Sequence, residues 1–224
     1  MSLRAPYPLH QHRGSVLVTA PTTEPVTAAE LLLHVREDAA NFRDALSYVK
    51  DARQDIENRS GLAFLTQSWR VALDRWPTGG EAWWDGVRDG SINELYGAHA
   101  QRSIELPKWP LASITSVTVY DEDSTSTAVT VANVFDVDAY SRPGRMTLKR
   151  GATWPVALRA SNAIEIVYVA GYTSAANVPA PMKRAVKQLA AYLYSHRGDD
   201  CNPDEAYSAS GAESIMASYK PARL

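Results

Sequence analysis

Residues 104–123 read IELPKWPLASITSVTVYDED, and the spacing of apolar residues there decides the fold. A short apolar strand, Ile104 to Leu106, ends at Pro107. A turn with the Trp109-Pro110 pair follows. A second strand then sets Ile114, Val117 and Val119 among Ser and Thr, before an acidic turn of Asp121, Glu122 and Asp123. Proline has no N–H for a sheet ladder and pushes the residue before it toward extended backbone, so the Pro-rich joint marks where pairing stops. The stretch holds no nucleophile beside a base. It is built for shape.

Working outward, the β-type period extends from Leu62 to Val178. Alternation around Trp69, Val71 and Leu73 predicts one strand, and further strands are expected at 113–120, 128–131, 145–148 and 163–169. The pairs Trp76-Pro77, Trp109-Pro110 and Trp154-Pro155 close or interrupt these strands, at no constant period that would signal a repeat. Residues 78–103 are Gly-rich and polar and read as a long loop between two strands. Trp83 and Trp84 lie within it. Paired aromatics in a polar loop suit an interface anchor, and Trp is equally a residue that a loop folding back would bury.

Helical patterns flank this region. Thr27 followed by Glu30 has the form of a capping box, with Val26 and Leu31 placed for a hydrophobic staple and Leu31, Leu32 and Val35 on the buried side. From Asn41, read as a cap, Phe42, Ala45, Leu46, Val49, Ala52 and Ile56 make one apolar stripe; Arg43, Lys50, Arg53, Asp55 and Glu57 fall on the charged face. Gly61 is placed to end that helix in left-handed geometry. Val178-Pro179-Ala180-Pro181 announces a last helix with Met182, Ala185, Val186, Leu189 and Leu193 on its stripe, ending near Gly198. The expected architecture is α+β. A small bundle of two N-terminal helices and a C-terminal helix (25–61 and 179–198) carries an inserted antiparallel β region (62–178), an N-terminal arm (1–24) and a flexible tail (199–224).

A chain of 224 residues can bury a sizeable core. Its formal net charge of −2 argues against a dedicated nucleic-acid binder. Cys201 is the single cysteine, which excludes an internal disulfide framework and fits a reducing compartment. With neither a signal-peptide pattern nor an apolar run long enough to span a bilayer, a soluble cytosolic product with no membrane contact is expected.

The ordered set of motifs resembles the phage head–tail connector proteins of the phiE125 gp8 / gp6-like family, which serve as adaptors in gene-transfer agents. Glu24-Pro-Val-Thr-Ala-Ala-Glu30 opens the first helix, and a charged second helix ends at Ser60-Gly61. Thr66-Gln67-Ser68-Trp69 leads into Leu73-Asp74-Arg75-Trp76-Pro77. The 104–123 stretch, Val169-Ala170-Gly171-Tyr172 and Val178-Pro179-Ala180-Pro181 complete the order. The loop 78–103 and the tail after Gly198 depart from the usual pattern. The resemblance implies a dodecameric ring beneath the portal protein, extending the DNA channel at the head–tail junction of the virion and docking the next neck, stopper or tail protein. It implies weak, sequence-blind contact with moving DNA. Other neck or tail-completion proteins would share much of this description.

A ring needs two unlike, complementary surfaces on each subunit. Lys183, Arg184 and Lys187 on the last helix and Asp121, Glu122 and Asp123 in the acidic turn, with Asp136 and Asp138 near by, are candidates for that interface. Ile215, Met216, Tyr219, Arg223 and Leu224 in the tail are candidates for portal contact, ordering on the partner. No catalytic residue, cofactor or metal site is assigned. Ser47-x-x-Lys50 lacks its companion motifs and lies in mid-helix. The histidines lack ligand spacing, and the Asp121–Thr125 turn lacks the Gly and Glu of a calcium loop. A hydrolase using paired carboxylates of the β region is the alternative from another class, since its test is a distance in space.

Overall fold

The computed structural model describes residues 14–40, 42–76, 103–154, 158–197 and 202–219. The fold is α+β, and the chain divides into two compact units. Pro77, Trp83, Trp84, Pro155, Gly198, Cys201, Arg223, Leu224 and the Asn41 cap lie outside the described residues.

The helical unit takes Thr19–Gln67, Lys108–Ala112 and Ala170–Leu224. Helix α1, Ala28–Val35, starts as its capping box dictates. Thr27 Oγ1 accepts from the Glu30 N–H at 3.2 Å, and the Glu30 carboxylate accepts from the Thr27 N–H at 2.7 Å. Val26 and Leu31, the expected staple pair, are both buried; Leu32 and Val35 are half-buried. That backbone hydrogen bond and the Thr27 hydroxyl, helped by the nearby Lys183 and Lys187, hold the Glu30 carboxyl below its ordinary value despite slight burial. A carboxyl depressed in the folded state stabilises fully above its unfolded pKa and loses that contribution as pH falls through the folded one. Thr27→Ala is therefore expected to cost about 1 kcal/mol in urea unfolding at neutral pH. The cost should shrink under acid, where Glu30 no longer completes the box.

Helix α2 runs Ala45–Ser60 and is closed by Gly61 at φ 68°, whose N–H donates to the Glu57 carbonyl at 3.1 Å. Its expected stripe holds at Phe42, Ala45, Val49, Ala52 and Ile56 but not at Leu46, which is 54% exposed. The larger correction concerns the charged residues that flank the stripe: Arg53 and Glu57 are buried. After β2, Gln67–Leu73, and the β region comes Ala175–Asn177, a single 3-10 turn, then α4, Ala180–Ser195. Met182, Ala185, Val186, Leu189 and Ala190 of α4 pack on α1 and α2, with Phe42 stacked on Tyr194 at 3.8 Å between ring centroids.

The expected flexible tail is instead two short helices, α5 (Pro203–Ala209, capped by the Asn202 side chain) and α6 (Ala212–Ala217). Ala206, Tyr207, Ala212 and Met216 complete the core against α4. Each helix offers only two buried residues, one of them an alanine, so the pattern is visible only once α4 supplies the other half. Met216 is thereby corrected from portal-contact candidate to core residue, fully buried at 0%. Met216→Ala is expected to cost about 2–3 kcal/mol in chemical unfolding, the low end for a buried methionine because a terminal helix can release locally. A variant as stable as the parent would return this segment to a free tail.

The β unit takes Met1–Val18, Ser68–Pro107 and Ser113–Val169. A five-stranded sheet has the order β1-β2-β8-β4-β5, where β1 is Gly14–Thr19, β4 Leu111–Tyr120, β5 Ser126–Val129 and β8 Ile164–Ala170. A three-stranded sheet has the order β3-β7-β6, where β3 is Ser103–Glu105, β6 Phe135–Asp138 and β7 Arg145–Leu148. Strand β6 and the one-turn helix α3 (Val131–Val134) before it were not expected, because four residues with two aspartates carry almost no strand signal. The register puts Ile104 opposite Met146 and Phe135 opposite Leu148, so the apolar members share one face. Trp76 stacks on Trp154 at 4.6 Å with Phe135 beside both, and two of the Trp-Pro pairs thus supply a common aromatic cluster.

Candidate functional site

In the helical unit, polar chemistry converges on Glu57. One oxygen of its carboxylate accepts from Arg53 Nη1 at 2.6 Å; the other accepts from the Phe64 N–H at 2.8 Å and Gln67 Nε2 at 2.7 Å. Arg53 turns its other edge to Glu24, with Nε donating at 2.6 Å and Nη2 at 3.2 Å. Burial opposes the Arg53 charge, but the hydrogen bond to Glu24 and the fields of Glu57 and Glu24 outweigh it and hold the guanidinium above its ordinary value. Lys108 Nζ donates to the Glu57 carbonyl at 2.8 Å; burial pushes this ammonium below its ordinary value, with Glu57 offsetting part of the effect. Trp109 Nε1 donates to the Ser60 carbonyl at 3.2 Å, and Leu62 bridges Trp109 in parallel.

The cluster thus ties 24, 53–67 and 108–109 together, positions far apart in sequence. The quoted 104–123 stretch therefore does two jobs: Lys108 and Trp109 enter the helical unit, while β4 builds the sheet. Each charge here is matched, and the arrangement leaves no free base or nucleophile at a reactive spacing. Its chemistry is structural, fastening separate segments of the helical unit to one another. The signal available in the sequence was Arg53 and Glu57 at an i, i+4 spacing, which reads by default as a solvated pair.

On the β side, the expected hairpin after β4 is present. Tyr120 pairs with Ser126, and Asp121 Oδ1 accepts from the Thr125 N–H at 2.7 Å, while Glu122 and Asp123 are exposed. Asp138 and Asp136 pair inside the chain, with Arg145 at 3.0 Å and Lys149 at 3.8 Å. Desolvation opposes the Asp138 charge, but hydrogen bonds from the Ser141 and Tyr140 N–H groups and from Arg145 together outweigh it and hold the carboxyl below its ordinary value. Glu165 faces Arg70 at 3.5 Å and accepts from the Tyr120 hydroxyl at 3.2 Å. Among the described residues no group of His, Cys, Asp and Glu is placed to hold a metal ion.

On α4, Arg184 is exposed and Lys183 and Lys187 are half-buried, both acting on Glu30 of α1. Ile215 and Tyr219 are half-buried against the helical core. Apolar side chains stand in solvent at Val16, Leu17 and Val18 on β1, at Leu33 and Leu46 on the first two helices, and at Tyr140, which is 98% exposed. Tyr140 tips a turn fixed by Asp138 and by the Ser141 hydroxyl, which donates to the Pro143 carbonyl at 2.8 Å. Among the described residues no helix is long and apolar enough to cross a membrane.

No family model matches the chain, and no curated protein matches it. Solved structures do. One chain in the neck of an empty gene-transfer-agent (GTA) particle, computed with C6 symmetry, matches with a TM-score of 0.70 and 23% identity, covering 94% of this chain and 97% of that one. A chain in the virion of a native GTA particle matches at 0.69 and 22%, over 94% and 96%. A chain in the neck of a native GTA particle, computed with C12 symmetry, matches at 0.60 and 23%, over 93% and 97%. At these identities the likeness establishes a shared fold along almost the whole length of each chain.

Proposed function

We propose that this protein is a structural component of the neck of a tailed phage or gene-transfer-agent particle. It is an adaptor that assembles as a ring under the portal protein at the head–tail junction, lengthens the DNA channel and presents a platform to the next neck or tail protein. The observation that carries this reading is the likeness, over 93–94% of this chain and 97% of the other, to chains that stand in particle necks. The chemistry supports it. Carboxylates of the β unit that a hydrolase would need, Asp136, Asp138 and Glu165, are engaged with cations. Contact with DNA in such a channel is weak and sequence-blind, in keeping with a net charge of −2.

Arg184, with Lys183 and Lys187, supplies a basic face for a neighbouring subunit or the portal, and Glu122 and Asp123 an acidic one. Ile215 and Tyr219, at the end of the chain that continues to Arg223 and Leu224, remain the portal-side candidates once Met216 is set aside. Purified chain mixed with the portal protein of its particle should form closed rings on the portal, seen as a portal-plus-twelve mass by light scattering. A chain that stays unbound to the portal under assembly conditions would overturn the reading. Reversing Lys183, Arg184 and Lys187 to glutamate is expected to weaken assembly about tenfold or more at low salt, with a smaller effect at high salt. Unchanged assembly would remove this face from the interface.

A further inference from the structure

We propose that the lateral joint between subunits is a sheet continued from copy to copy, with β1 of one subunit pairing along β5 of the next. This rests on the neck reading above and specifies which surfaces close the ring.

The two strands are the opposite ends of one five-stranded sheet, and among the described residues no further strand joins either end. An end strand presents a row of backbone N–H and C=O groups to whatever comes beside it, and soluble proteins blunt such edges with charge, proline or a covering segment. Strand β1 reads GSVLVT, and β5 reads STAV; neither has a charge or a proline. The side chains of β1 make the edge costlier still. Alternation puts Val16 and Val18 on one face of the strand and Leu17 on the other, and all three are exposed, at 54%, 54% and 40%. A strand that served only its own core would be apolar on one face.

Strand β5 is a different kind of edge. Ser126, Thr127 and Ala128 are exposed, small and suited to close approach, and they run out from the acidic turn. Two unlike edges on one sheet make a heterologous pair, and such pairs close into rings when the rotation between copies allows. Pairing β1 with β1 would cover the apolar edge but stop at two copies and leave every β5 open. A second copy is the occupant that brings a β5 for every β1, and the necks in which chains of the shared fold stand were computed with C6 and C12 symmetry.

The test is disulfide trapping in the assembled complex. In a background where Cys201, the single cysteine, is replaced by serine, Leu17→Cys or Val18→Cys is combined with Thr127→Cys or Ala128→Cys, which covers both faces of the strands. Chain bound to its portal is oxidised and run on a non-reducing gel. At least one double variant should give a ladder of covalent oligomers, while every single variant stays monomeric. Portal complexes that form normally but give no ladder from any double variant would overturn the joint and leave the neck reading standing. Dimers from Leu17→Cys alone would replace it with β1–β1 pairing. Failure of the unmodified chain to join the portal would defeat both. As a second measure, Leu17→Lys with Val18→Lys should lower assembly at least tenfold without shifting the thermal midpoint, because both side chains are exposed. Full assembly of that variant would also overturn the joint.

Discussion

Gly171→Ala is expected to destabilise the protein by on the order of 4 kcal/mol or more, among the largest effects a single methyl can have. Gly171 sits at φ +112°, and a Cβ there would stand 2.1 Å from the Leu65 carbonyl oxygen and 2.4 Å from its carbon. Both atoms are backbone, so no rotamer change relieves the clash. Leu65 bridges Tyr172 in parallel, and the Thr66 N–H donates to the Tyr172 carbonyl at 3.0 Å, while Gly171 donates its own N–H to Pro110 at 2.8 Å. Moving either strand away breaks this set. Gly151 is the control: it has φ +86° and nothing within 4 Å of a Cβ, so Gly151→Ala should cost only about 1 kcal/mol of backbone strain. Urea unfolding of the two variants separates the cases. Equal, small losses would mean that residues 65 and 171 do not approach as described.

Arg53→Ala is the second large effect, expected at about 3–5 kcal/mol because it leaves buried charge without its partner. The side chain is 4% exposed, and Glu24 and Glu57 opposite it are 14% and 6% exposed. Arg53→Lys keeps the charge, but a point ammonium cannot bridge two carboxylates as a planar fork does, so its stability should fall between the parent and the alanine variant. Chemical unfolding at neutral pH reads both. An alanine variant within 1 kcal/mol of the parent would mean that the cluster is solvated and does not fasten these segments of the helical unit together.

Where local chemistry determined local structure, the residues were readable. Thr27 and Glu30 bond each other, Gly61 takes the left-handed position, and the Asp121–Thr125 turn closes its hairpin, because each needs only neighbours in sequence. What escaped depends on partners distant in sequence. Arg53 and Glu57 look solvated until Glu24, Gln67 and Lys108 arrive. Residues 203–217 look like a polar tail until α4 offers a surface for Tyr207 and Met216. Strand β6 exists because β7 pairs with it: Asp136 and Asp138, which read in sequence as part of an acidic face awaiting another subunit, find Lys149 and Arg145 there. Leu46 shows the converse, a residue in helical phase that the core does not use. The exposed β1 edge lay within what read as an N-terminal arm, since a sequence does not say at which end of a sheet a short apolar run will lie.

The central claim is that this chain works by joining copies of itself and other particle components. Cryo-electron microscopy of intact particles that carry it tests this most directly. Density for the α+β subunit repeated in a ring between the portal and the tail is the expected result. Complete particles whose neck contains no such subunit would contradict the account.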